Sequence, residues 1–321
     1  APSHILMIRR FCVAPMMDRT DRHERYFLRC VTKRAHLYTE MIHANTIIHG
    51  KRNLIAYDKK EHPLAIQVGG SDPVKLSLCA EIAEESGFKE INLNVGCPSQ
   101  RVQDGSFGAI LMKNSSLVAK CLKAMKNSCN IPVTVKCRIG VDKMCEKRDL
   151  QNFIFSCKDE GVETFIIHAR KAWLKGLNPK QNREIPPLNY DAVYDLKNLL
   201  PDTEIVINGG IKTLEECKLH LNYVDGVMVG REAYNNPYSL REVDHQIFGE
   251  KYLHFSREEI LLKFLPYLET QLRNGSPIQN ISKHLMGLYK GTHLAKKNRK
   301  FFANLFKEIN PALSIKNLIS I

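Results

Sequence analysis

Glu90-Ile91-Asn92-Leu93-Asn94-Val95-Gly96-Cys97-Pro98 begins as a short β-rich run, Glu90–Asn94, and ends with a cysteine held between a glycine and a proline. Seven more such runs lie on either side of it: Phe11–Ala14, Leu37–Met41, Leu64–Val68, Val133–Cys137, Thr164–His168, Glu204–Ile207 and Gly226–Val229. Between them fall segments with apolar residues at helical spacing, such as Lys75–Ser86, Leu117–Asn127 and Asp191–Leu199. Strands alternating with helices imply parallel pairing and right-handed crossovers. Eight units predict an α/β fold of the TIM (β/α)8 barrel type, with catalytic groups at the carboxyl ends of the strands. The alternation stops near Pro237. Beyond it helices alone are predicted, over Arg257–Asn274, Ile278–His293 and Lys296–Ile309, with Pro266 expected to kink or interrupt the first. The tail Pro311–Ile321 is expected to pack back on them. This gives a barrel domain over 1–240 and a C-terminal all-α helical domain over 241–321.

A chain of 321 residues exceeds the ~250 typical of one barrel, which leaves room for the appendage. A net charge of +13 points to a polyanionic partner. The charge is concentrated: residues 251–321 hold 12 Lys+Arg against 4 Asp+Glu, and a concentrated basic patch favours nucleic acid. None of the ten cysteines forms a Cys-x-x-Cys pair, so no structural zinc or iron–sulfur site is expected, and free thiols in a reducing cytoplasm are. The apolar stretch Ile5–Ile8 is short and Arg9-Arg10 follow it, so no signal peptide is expected. No run of eighteen apolar residues suggests a membrane span.

The predicted strand ends carry an unusually polar set. Pro15-Met16-Met17 follow the first, Glu40 lies on the second, Gln67 ends the third and Asn94 with Cys97 the fourth. Lys136 and Arg138 end the fifth, His168 the sixth, Asn208-Gly209-Gly210 follow the seventh and Gly230-Arg231 the eighth. Glycines after strands seven and eight let backbone N–H groups approach an anion, a frequent phosphate site in barrels. Flavin mononucleotide fits this layout, and a sugar-phosphate fits its phosphate end equally well. The Pro15–Met17 turn favours the flat flavin ring. Free cysteines are usually small buried hydrophobes, but the place of Cys97 on a constrained loop at a barrel strand end favours a catalytic thiol, and the sequence alone does not decide between nucleophile and general acid.

Asn94-Val95-Gly96-Cys97-Pro98-Ser99, Gln67-Val68-Gly69-Gly70, Val135-Lys136-Cys137-Arg138, Ile167-His168-Ala169-Arg170, Ile207-Asn208-Gly209-Gly210-Ile211 and Val229-Gly230-Arg231 together resemble the tRNA-dihydrouridine synthases. His168-Ala169-Arg170-Lys171-Ala172-Trp173, with Asn182-Arg183-Glu184-Ile185-Pro186-Pro187-Leu188, resembles the DusA class of that family. The resemblance implies FMN held by Pro15, Met16, Met17, Gln67, Lys136, His168, Asn208, Gly209, Gly210, Gly230 and Arg231. It implies NADPH as reductant and D-loop uridines at tRNA positions 20 and 20a as substrate. Cys97 would be the general acid and Asn94 would contact the target uridine. Arg138, Arg183, Arg299 and Lys300 are the further candidate substrate and tRNA contacts. The expected enzyme is cytoplasmic, binds no metal and acts as a monomer. Lys296-Lys297-Asn298-Arg299-Lys300 departs from the class in being lysine-rich, which keeps the charge but not the bidentate phosphate geometry. Two other functions share part of these features: a flavin barrel acting on a free small molecule, which would not need the basic helices, and a non-catalytic RNA-binding barrel, which would not need Cys97.

Overall fold

The computed structural model describes residues 8–320; part of the Ile5–Ile8 stretch and the last residue of the tail lie outside the described residues. Eight parallel strands are present: β1 (Phe11–Val13), β2 (Leu37–His43), β3 (Leu64–Gly69), β4 (Ile91–Val95), β5 (Val133–Arg138), β6 (Thr164–His168), β7 (Glu204–Asn208) and β8 (Gly226–Val229). They pair in the order β1-β8-β7-β6-β5-β4-β3-β2. The ring closes between β1 and β2 through His36, whose carbonyl accepts from Val13 N–H at 2.9 Å and whose N–H donates to Phe11 at 2.8 Å. The chain is therefore a TIM barrel with helices around it. The helices expected near 75–86, 117–127 and 191–199 run Pro73–Glu85, Ser115–Ser128 and Tyr190–Leu199, each entered through a side-chain cap from Asp72, Asn114 or Asn189.

Strand alternation decides what the barrel encloses. Ile91, Leu93 and Val95 face the helices, which leaves Asn92 and Asn94 inside. The same period puts Thr134, Lys136 and Arg138 of β5 in the lumen. The apolar lumen is small, built from Cys12, Ala14, Tyr38, Ala65, Ile166, Val206 and Met228. Below the mouth it turns polar. Glu90, just ahead of β4, receives Arg9 at 2.7 Å, His36 and Tyr38 at 3.0 Å and Thr134 at 2.7 Å, and Arg9 also reaches Glu204 at 2.8 Å. Burial alone would raise the Glu90 carboxyl; Arg9, His36 and Thr134 hold it well below the usual carboxylate range.

The C-terminal helices depart from expectation in two places. Pro266 sits inside a continuous helix, Arg257–Arg273, and does not interrupt it. Its hydrophobic face, with Ile260, Leu261, Phe264, Leu265 and Leu268, is buried and carries the helix past the proline. Ile278–His293 is not one helix but a helical turn, Gln279–Ser282, then a 3-10 turn, Lys283–Leu285, and further turns. Gly287 explains the break: a Cβ there would lie 2.4 Å from the Asn235 carbonyl, so the backbone packs against the barrel at that point. Ala295–Ala303 is helical and a 3-10 turn, Leu305–Lys307, follows. The tail forms a helix, Pro311–Ile319, packed on Arg257–Arg273. Tyr267 stacks on Tyr26 at 4.1 Å, His284 pairs with Asp21 at 2.9 Å and Lys283 donates to the Asp18 carbonyl at 3.1 Å, so these helices are docked beside the loop after β1. Among the described residues no helix is long and apolar enough to cross a membrane, and no cluster of His, Cys, Asp or Glu is arranged to hold a metal ion.

Candidate active site

Register gathers the predicted residues at the carboxyl end of the barrel. Asn94 pairs with Lys136, and Arg138, His168, Asn208 and Met228 stand side by side across β5 to β8. Gln67 and Asn94 join through Asn94 Nδ2, which donates to Gln67 Oε1 at 3.1 Å, while Gln67 Nε2 donates to Asn92 Oδ1 at 2.8 Å. Asn92 continues to Thr134 at 2.8 Å and so to Glu90. The Gln67 and Asn94 amides are thereby held in fixed orientations by a buried chain that ends on a carboxylate.

Cys97 sits on a loop held from several sides. Asn94 Oδ1 accepts from both Gly96 N–H and Cys97 N–H at 3.0 Å, and the Cys97 carbonyl accepts from Ala109 N–H at 2.8 Å. Its sulfur lies 3.6 Å from the Ser99 hydroxyl, and the residue is partly exposed. Gly108, at φ +73°, is needed for this packing: a Cβ there would stand 2.6 Å from the Cys97 carbonyl and 2.4 Å from Val102. Gly108→Ala should therefore push the Cys97 loop out of place at a cost of about 1–3 kcal/mol, lowering kcat more than it raises KM. Steady-state kinetics checks this; an unchanged kcat would mean the loop tolerates the shift.

Arg138 is buried and spends its donors on backbone. It reaches the carbonyls of Gly96 at 3.0 Å, Asn182 at 2.9 Å and Lys171 at 3.2 Å. Burial, foremost, pulls it down to about 10. Its first task is to tie the β4 loop to the long loop after β6. Lys136 keeps a partly exposed side chain, yet enough protein surrounds its ammonium that burial, with Arg138 beside it, lowers it to about 8. His168 is pushed far below its usual value by burial and by Arg138, Lys136, Arg170 and Arg231, so it is neutral. Its Nδ1 accepts from Arg170 N–H at 3.2 Å, which leaves the proton on Nε2.

On the opposite side, Asn208 Nδ2 is anchored to the Met228 carbonyl at 3.0 Å. Gly209 and Gly210 take φ +115° and +69°, and Tyr190 donates to the Gly209 carbonyl at 2.7 Å. A Cβ on Gly230 would face Ala14 and the Met16 sulfur, so the β8 end is lined by the Pro15–Met17 turn, with Met17 itself 57% exposed. Arg231 pairs with Glu184 at 3.0 Å, and Arg183 lies exposed beside it on the rim. Arg299 and Lys300 are exposed on the helix Ala295–Ala303, away from this constellation. Sequence reading missed the roles of Asn182 and Gln103, which act through loop-to-loop bonds that no local motif signals.

Can these residues hold a flavin nucleotide? The donor set fits. Gly209 and Gly210 hold left-handed backbone that turns the chain after β7, a Cβ at Gly230 would meet nothing closer than 3.6 Å, and Arg170 and Arg231 bring positive charge to the His168 side of the mouth. Gln67, Lys136 and His168 Nε2–H offer donors toward a polar ring edge, and Met16 and Ala14 an apolar wall.

The family model of dihydrouridine synthase (Dus) matches residues 12–319. The tRNA-dihydrouridine(20/20a) synthase of Escherichia coli (strain K12) is 52% identical over 295 residues, spanning 92% of this chain and 86% of that protein. The protein of the same name from Shewanella oneidensis is 51% identical, spanning 92% and 88%. Among solved structures, morphinone reductase matches with a TM-score of 0.52 at 10% identity, covering 79% of this chain and 91% of that one. A 2-naphthoyl-CoA reductase complex matches with a TM-score of 0.53 at 10% identity, covering 73% and 49%. At that identity the likeness shows the fold alone. On the family match and the relatives at half identity over nine-tenths of its length, the chain belongs to the dihydrouridine synthase family.

Proposed function

We propose that this chain reduces the C5=C6 bond of uridines at positions 20 and 20a in the tRNA D-loop, with FMN as resident flavin and NADPH as reductant. The observation that carries the reading is a partly exposed Cys97, on a loop clamped by Asn94, Gly108 and Arg138, across the barrel mouth from the Gly209-Gly210 and Gly230 turns. Pro15, Met16, Met17, Gln67, Lys136, His168, Asn208, Gly209, Gly210, Gly230 and Arg231 would hold the flavin. Bound there, FMN supplies the hydride that C6 of the uracil accepts.

The rest belongs to the protein. Reduction at C6 leaves negative charge on the base, and C5 then needs a proton. Cys97 Sγ–H gives it and recovers its own proton from solvent. Lys136, still largely protonated below pH 8, faces the same lumen and offsets the developing charge. Asn94 contacts the uracil edge while its Oδ1 keeps Cys97 in place, and Arg138 holds the loops that shape the pocket. Residues 1–240 carry this chemistry and 241–321 present a basic face to the RNA. A uridine must leave its stack to reach the mouth, costing a few kcal/mol; phosphate contacts from the rim and the helices offset that. The setting is the cytoplasm, where tRNA and reduced nucleotide meet.

The deciding experiment incubates the flavin-loaded protein with unmodified tRNA and NADPH and maps dihydrouridine by mass spectrometry. Dihydrouridine at 20 and 20a is expected; reduction of free uracil or dihydroorotate oxidation at comparable rates, without tRNA modification, would replace this reading. Arg299 and Lys300 are the test of the RNA face. Exchanging both for Glu should weaken tRNA binding and reduce the slope of log affinity against log salt by roughly two, with NADPH oxidation intact. A salt titration with unchanged slope would place the basic contacts elsewhere.

A further inference from the structure

We infer that Trp173 is a stacking platform for the nucleobase next to the target uridine, so that a second nucleotide of the RNA rests in the open cavity beside the Cys97 loop. The inference rests on the reading of the chain as a tRNA uridine reductase. Trp173 is the single tryptophan of the chain and is 38% exposed. Its backbone is fixed. Asn182, itself fully buried, accepts from Trp173 N–H at 2.8 Å and donates to the Trp173 carbonyl at 2.9 Å. An aromatic ring left in solvent on so firmly held a backbone is pre-organised for a flat ligand.

The same frame is registered to the thiol. Arg138 joins the carbonyls of Lys171 and Asn182, on either side of Trp173 in the chain, to that of Gly96. Gln103 Nε2 donates to Pro98 at 2.8 Å and to Leu174 at 2.9 Å. The residues that flank Cys97 and those that flank Trp173 are thus bridged by two side chains, one on each side.

Trp173 borders a cavity of about 970 Å³ that Phe153 and Met144 line with apolar surface and Lys143 and Lys175 with charge. Two carboxylates also line it, and both are engaged: Asp142 accepts from Leu174 N–H and pairs with Lys113, and Asp149 accepts from Cys145 N–H and Arg148. Lys171 Nζ stands 5.9 Å from the indole centroid. An indole with Lys171 beside it, at the edge of a cavity that has an apolar floor and carries Lys143 and Lys175, suits a base together with its phosphate, whatever the base. A neighbouring base stacked there would replace part of the stacking lost when the target base is extruded.

The test uses the flavin-loaded protein and unmodified tRNA transcripts. Trp173→Ala should weaken tRNA affinity roughly 5- to 150-fold, the ratio for one lost base–aromatic stack, with a much smaller change in kcat, and Trp173→Phe should recover most of it. Because the tryptophan is unique, saturating tRNA should change the wild-type indole emission directly. Transcripts abasic immediately 5′ or 3′ of the target uridine locate the partner: one of them should weaken wild-type binding by the same factor and add nothing to Trp173→Ala. The inference is overturned if emission is unmoved by saturating tRNA, if Trp173→Ala binds as wild type, or if both abasic transcripts bind the wild type normally. Any of these with normal dihydrouridine formation removes the platform alone. A wild type that neither binds nor modifies tRNA removes the parent reading and the platform with it.

Discussion

Cys97→Ala should lower the rate of dihydrouridine formation by ~10²–10⁴, the usual contribution of a positioned acid, while FMN and tRNA stay bound. The binding half of this expectation comes from the loop. Its shape is set by Asn94 Oδ1, by Arg138 on the Gly96 carbonyl and by Ala109 on the Cys97 carbonyl, none of which uses the sulfur. Removing Sγ deletes a weak contact to Ser99 and little else. The loss should therefore appear in single-turnover reduction of tRNA and not in tRNA titrations or in the flavin spectrum near 450 nm. Serine would not restore the rate, because its hydroxyl is a far weaker acid than a thiol. Wild-type turnover in the alanine variant would take Cys97 out of the reaction and return it to a packing role.

The second large effect concerns stability. Arg9→Met should destabilise the fold by about 3–5 kcal/mol, the range for removing one partner of a buried ion pair. Glu90 would keep Tyr38, Thr134 and His36 but lose its only guanidinium, and Glu204 would lose its cation as well. The pH dependence follows from the direction of the shift. Glu90 is held below its unfolded value, so its contribution is complete above the ordinary carboxylate range and disappears as pH falls through the folded value. Without Arg9 that folded value rises, and the acid-side loss of stability should begin at higher pH. Urea midpoints from about pH 4 to about pH 7, at and above the ordinary carboxylate range, read both the drop and the displaced onset. Coincident curves for the two proteins would show that the hydroxyls and His36 suffice to keep Glu90 ionised.

The barrel was legible because each strand is a short β-rich run followed by a helical stretch, and because parallel pairing leaves few arrangements for eight of them. The gathering of Cys97, Lys136, His168 and the Gly209-Gly210 pair at one end of the barrel was legible too, since each follows or ends a predicted strand. What the residues do to one another was not. Arg138 reads as a cation aimed at substrate until its donors are found on Gly96, Lys171 and Asn182. Asn182 reads as one polar residue in a loop, yet it is completely buried. The helical region was the least legible. Its break at Gly287 is imposed by a contact with Asn235, about fifty residues away in the chain, and the survival of the helix through Pro266 by packing on the barrel.

The double tie made by Arg138 and Gln103 between the β4 loop and the loop after β6 limits how this scaffold could be re-aimed. Segments 96–108 and 171–182 share a set of bonds that neither can satisfy alone, so a change of specificity by loop transplantation would have to move both as one cassette, with Arg138 retained as its keystone. Drift in either loop by itself is penalised through the other. For design, the two surface excursions are a single module.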